Sequence, residues 1–192
     1  MRFRPTPIAG AFIVSIEPRS DERGFFARTW CAREFAAHGL PDVIVQSSIS
    51  RSLRRGTVRG MHLQLPPSRE GKLVSCARGV IYDVIVDLRP DSPSYLHHFG
   101  IELDSEPHEA LFVPPLVAHG FQTLVDGTEV LYQMTDYFAP ELGFGFRWND
   151  PTFKVRWPLG ESVILARDQD YPDFDARTYE RRLDAARLSV EG

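Results

Sequence analysis

Ten short runs rich in β-branched, aliphatic and aromatic residues, each closed off by Gly, Pro or Asp, limit what this chain can become. They are Ala11–Glu17, Gly24–Trp30, Val43–Ser50, Thr57–Gln64, Lys72–Ala77, Val80–Arg89, His98–Leu103, Ala110–Val113, Gly120–Val125 and Glu129–Tyr137. Short strands with turn signals at such intervals predict an all-β sandwich or barrel. One early stretch departs from this pattern. Thr29 is placed to cap a brief helix over Cys31–His38, with Gly39 as its stop. After Asp168 the pattern changes again. Tyr179 and Leu183 sit four apart among alternating charges over Asp175–Val190, which predicts a peripheral, solvent-facing C-terminal helix.

A chain of 192 residues with 43% hydrophobic content, thirteen Phe, six Tyr and three Trp is expected to form one domain over 1–192, with a core over about 8–172 and a tail over about 173–192. There is no internal repeat. No apolar run approaches the roughly 18 residues that cross a bilayer, and the N-terminus lacks a continuous apolar segment, so a cytoplasmic protein without membrane contact is expected. The net charge of −4 argues against nucleic acid as a partner. Cys31 and Cys76 suit neither a metal knuckle nor a disulfide framework.

On the strand Val80–Arg89, residues Ile81, Asp83, Ile85, Asp87 and Arg89 share a face by the period of two. Asp83, flanked by Ile on that face, needs a partner if buried; a solvated outer carboxylate is the alternative. Thr57–Gln64 carries Arg59 and His62 at opposite parity, and the two can share a pocket only if Gly60 marks a bulge. Lys72 heads an apolar strand, a Pro-rich turn delivers His119, and Tyr132 shares a face with Val130 and Met134. Taken singly, each is equally an ordinary structural side chain.

Together these segments resemble the dTDP-4-dehydrorhamnose 3,5-epimerase family from about Ile8 to Pro172. The motifs, in family order, are Asp21-Glu22-Arg23-Gly24-Phe25-Phe26, Val45-Gln46, Val58 through Gln64, Gly71-Lys72-Leu73-Val74, Asp83 through Arg89 with Ser92-Pro93, Val113-Pro114 through Phe121, Leu131-Tyr132, Trp148-Asn149-Asp150-Pro151, Trp157-Pro158 and Arg167-Asp168. The resemblance implies a double-stranded β-helix (cupin, jelly-roll) fold and a homodimer. It further implies a nucleotide-diphosphate sugar as substrate and a reaction that needs neither cofactor nor metal. By the same resemblance His62 is the general base, Asp168 orients it, Tyr132 is the general acid on the opposite face of the sugar, and Lys72 lines the sugar pocket, where a fixed ammonium suits the keto oxygen. Substrate contacts are implied at Arg59, His119, Arg23, Gln46, Phe26, Ser48, Arg28, Asp83 and Arg167.

The chemistry agrees with this assignment. A hydrogen beside a ketone is removed by a base of pKa near neutrality, with a cation or donor at the oxygen that becomes an enolate, and inversion returns a proton from the other face. The chain departs from the family pattern at Arg28, where Glu is usual, at Ser48, where Asn is usual, and at Gly143, which replaces an acid. Leu63 and Phe138 stand where other aromatics are common. These changes fall near the implied nucleotide and sugar contacts and keep open an enzyme that inverts only C3 or only C5, or takes another nucleotide sugar. Two other readings compete. A metal-dependent cupin would use His62 and His119, with Leu63, Gln64 and Lys72 where further ligands are needed. A non-catalytic sugar-binding cupin would have no use for an acid and a base.

Overall fold

The computed structural model describes residues 1–106, 108–160 and 163–191. In chain order the strands are β1 (Arg2–Pro5), β2 (Phe12–Ser15), β3 (Arg19–Asp21) and β4 (Gly24–Phe26), then β5 (Gln46–Ser52) after helix α1 (Ala32–Ala37). The central strands are β6 (Thr57–Gln64), β7 (Lys72–Arg78), β8 (Val80–Asp87), β9 (His98–Asp104), β10 (Ala110–Val113), β11 (Val117–Thr123) and β12 (Thr128–Met134). β13 (Gly143–Gly145), β14 (Val163–Ile164), α2 (Ala166–Gln169) and α3 (Ala176–Glu191) complete the order.

One sheet runs β1-β2-β10-β7-β12-β5; the other runs β13-β6-β11-β8-β9, with β14 alongside β6. The two face one another. Ile13, Val74, Leu111 and Val130 from the first meet Ile81, Ile85, Leu103 and Phe121 from the second in one buried cluster. Alternation sends the other side chains of these strands outward. Leu73 and Phe112 pack under α1 with Phe35, while Met61, Leu63, Val84 and Val86 pack against Phe146, Phe153, Tyr179 and Leu183. Two antiparallel-strand sheets closed around a shared core in this order form the jelly roll of the cupin folds. Among the described residues no helix is long and apolar enough to cross a membrane.

Some local expectations are revised. The helix begins at Ala32 with Cys31 as its N-cap, and no side chain caps it, so Thr29 plays no such part. Burial of Phe35 holds the helix instead. Gly39, at φ +70°, ends it as expected. The run expected to be extended to Trp30 is strand only to Phe26, where it pairs with β3 in a separate hairpin. β1, β3, β13 and β14 are too short or too polar to read as strands from sequence.

α3 does lie outside both sheets, but its Tyr179–Leu183 stripe is fully buried and does not face solvent. The reason lies upstream. Buried Asp150 accepts the backbone N–H groups of Thr152 and Phe174, which brings the chain entering α3 against Phe146 and Phe153.

Candidate active site

A cavity of about 960 Å³ opens between the sheets. β5, β7 and β12 present Gln46, Ser48, Lys72 and Tyr132 from one side; β6 and β11 present Arg59, His62 and His119 from the other. Arg59 and His62 both reach it because the β6–β11 register shifts between His119 and Phe121, opposite Gly60. Gly60, at φ +135°, takes a conformation that L side chains rarely adopt. A Cβ there would also lie 2.5 Å from the Gly120 Cα.

His62 Nε2 donates to Asp168 Oδ1 at 2.9 Å, a bond that leaves Nδ1 with the free lone pair of the neutral imidazole. Asp168 is 3% exposed and arrives on α2, its other oxygen accepting the Gly60 N–H at 3.4 Å. Burial works against its charge, yet the His62 hydrogen bond and charge, the Gly60 N–H and Arg167 together hold the carboxyl below its ordinary value. Across the cavity, burial pushes the Tyr132 hydroxyl well above the ordinary tyrosine value. The charge of Asp83 adds to this and Arg59 opposes it, so the group is a phenol at neutral pH. Lys72 Nζ lies 2.9 Å from Glu70 Oε1, and Glu70 Oε2 accepts the Gln64 amide at 2.9 Å.

This arrangement offers an oriented imidazole on one wall, and on the facing wall a protonated phenol and an ammonium from neighbouring strands. The two histidines donate to separate carboxylates, His119 Nε2 lying 2.6 Å from Asp83 Oδ1. Among the described residues no three His, Cys, Asp or Glu side chains come together to hold a metal ion.

The dTDP-4-dehydrorhamnose 3,5-epimerase family model matches residues 5–176. The chain belongs to this family. A dTDP-4-dehydrorhamnose 3,5-epimerase of Methanothermobacter thermautotrophicus is 38% identical over 173 residues, spanning 88% of this chain and 92% of the relative. A protein of Streptomyces niveus named dTDP-4-dehydrorhamnose 3-epimerase is 36% identical over 171 residues, 88% of this chain and 82% of the relative. The crystal structure of dTDP-4-dehydrorhamnose 3,5-epimerase from Elizabethkingia anophelis superimposes with a TM-score of 0.88 at 32% identity, covering 91% of this chain and 96% of that one.

Within this epimerase framework the implied site residues divide. His62, Asp168, Tyr132, Lys72, Arg59, His119, Gln46, Ser48 and Arg167 line the one cavity. Asp83 does not: it is fully buried behind His119, because its strand face turns into the core beside Ile81 and Ile85. Arg23, Phe26 and Arg28 also lie elsewhere. They are exposed in or just after the β3–β4 hairpin, where Arg23 makes a bidentate pair with Asp21 and Arg28 pairs with Glu34. An exposed pair of this kind contributes little to stability.

Two cavity groups escaped the sequence reading. Glu70 is two residues before Lys72, a spacing that on extended backbone places both on one side, and that parity was its available signal. Tyr171 lies three after Asp168, across the end of α2, and its ring meets His62 edge-on at 6.0 Å.

Proposed function

We propose that the protein inverts C3 and C5 of dTDP-4-dehydro-6-deoxyglucose, giving dTDP-4-dehydrorhamnose, by removing and returning protons beside the ketone. The observation that carries this reading is the placement of His62 and Tyr132 on opposing sheets of one cavity. His62 Nδ1 takes the carbon-bound hydrogen while Asp168 stabilises the imidazolium through Nε2. The electron pair moves onto the keto oxygen, where the Lys72 ammonium, steadied by Glu70, offsets the developing charge. Tyr132 then delivers a proton from the other side. Nothing in these steps calls for a redox or electrophilic cofactor.

A second reading keeps the chemistry and inverts one carbon only. Ser48 and Gly143 replace larger polar groups at the cavity, which loosens the hold on the sugar nucleotide, and one relative carries the name of a 3-epimerase. Incubation with the dTDP-linked sugar in heavy water, followed by NMR, distinguishes the two. Deuterium at C3 and C5 supports the first, deuterium at one carbon the second, and none at either overturns both. UDP- and GDP-linked sugars in parallel report the nucleotide.

The resemblance implies substrate contacts at Arg23, Phe26 and Arg28, none of which lines its own cavity. We infer a homodimer whose hairpins complete each other's sites, acting in the cytoplasm on its soluble substrate. A monomer by analytical ultracentrifugation would remove this inference and leave the proton chemistry intact.

A further inference from the structure

Each inversion by this route leaves the same imbalance: His62 has gained a proton and Tyr132 has lost one. The phenolate must be reprotonated before the next inversion. Burial of Tyr132 and the nearby Asp83 charge make that phenolate costly to hold, so a donor close by is needed. Arg59 faces Tyr132 but does not release a proton at ordinary pH. Lys72 is committed to Glu70 and the keto oxygen.

His119 meets three conditions at once. It is the direct cross-strand partner of His62, its ring meets the Tyr132 ring edge-on with centroids 5.9 Å apart, and its Nε2 is held by Asp83 at 2.6 Å. Asp83 is 0% exposed and its Oδ2 is buried with no hydrogen-bond partner among the described residues. A half-satisfied buried carboxylate costs stability, and a core built for packing alone would use an amide or an apolar residue there. Facing an imidazole that cycles through its charged form, the same carboxylate has a purpose.

Resting on the epimerase reading above, we propose that Asp83 and His119 form a second carboxylate–imidazole pair that reprotonates the Tyr132 phenolate after each inversion. The His119 imidazolium gives the proton on Nδ1 to the Tyr132 oxygen, directly or through one cavity water. An N–H bond breaks, an O–H bond forms, and the neutral imidazole keeps its Nε2 proton toward Asp83. His119 is recharged by the proton that His62 removed from the sugar, passed through cavity water in exchange with solvent. No net proton is consumed.

The test compares wild type with His119→Gln and Asp83→Asn, the second a near-isosteric change. Deuterium incorporation is followed in a first turnover with enzyme in excess, and again at steady state. In Asp83→Asn the first inversion stays within about threefold of wild type, whereas the second inversion and the steady-state rate fall about tenfold or more; in His119→Gln the ratio of steady-state to first-inversion rate falls by as much, and about 50 mM imidazole restores much of it without accelerating wild type. Thymidine diphosphate binds Asp83→Asn and wild type alike. Equal loss in the first inversion and at steady state, a steady-state rate that is unchanged, a deficit that imidazole leaves untouched, or nucleotide binding by Asp83→Asn weakened in step with rate would each overturn the proposal. Failure of wild type to exchange at all would instead remove the epimerase reading beneath it.

Discussion

Gly60 of β6 and Gly120 of β11 pass so close that a Cβ on either would meet the other's Cα, at 2.5 Å from Gly60 and 3.1 Å from Gly120. This contact lets β6 shift register and turn both Arg59 and His62 into the cavity. Gly60→Ala meets backbone alone and a positive φ, so it should destabilise by about 2–4 kcal/mol in urea unfolding. Gly120→Ala carries no positive φ, but a Cβ there would meet the Arg59 carbonyl oxygen at 2.8 Å and the buried Met61 sulfur at 2.6 Å, so it too should destabilise. Equal stability of Gly60→Ala and wild type would contradict the close approach.

Asp168→Asn should lower the exchange rate by about 10²–10⁴-fold, since His62 loses the group that fixes its tautomer. Its stability effect has a definite pH signature. The folded carboxyl titrates below the ordinary 3.8, so its contribution is present above about pH 4 and is lost as pH falls through the lower folded value. The gap in unfolding free energy between wild type and Asp168→Asn should therefore narrow in acid; a gap that widens there would show the sign to be wrong.

Lys72→Met should reduce turnover about 10²–10³-fold by removing charge at the enolate oxygen. It also strands the buried Glu70 carboxylate, at a cost of roughly 3 kcal/mol. Glu70→Gln in the same chain should recover most of that stability and none of the activity. Recovery of both in the double variant would assign Lys72 a structural part only.

Leu183→Ala should destabilise by about 2–4 kcal/mol, because α3 buries this side chain against the outer face of the β6 sheet. Tyr179→Phe is the contrasting case. The Tyr179 hydroxyl is buried without a hydrogen-bond partner among the described residues, so its removal should be neutral or stabilising in thermal melts.

The strands and the cavity were legible in the sequence to different degrees. Periodicity of two put Ile81, Asp83 and Ile85 on one face without deciding whether it turns inward, and it made a shared pocket for Arg59 and His62 conditional on a bulge at Gly60, where the β6–β11 register does shift. It failed for α3, where charges interspersed along the segment suggested a helix in water. Two side chains one turn apart, Tyr179 and Leu183, are enough to seat such a helix once Phe146, Phe153 and Phe174 offer a surface, and no local pattern encodes that surface. Glu70 was overlooked because it precedes the strand that carries Lys72. The exposed positions of Arg23, Phe26 and Arg28 depend on the folding of a detached hairpin, which pattern alone leaves undetermined.

The bond between His62 and Asp168 joins residues 106 positions apart. A ribosome making this protein must therefore add at least those 106 residues before the imidazole acquires its orienting acid. A nascent chain halted before α2 could already hold a histidine, a lysine and a tyrosine on paired strands, yet its base would have no fixed tautomer. Competence for proton abstraction thus waits until synthesis has passed α2.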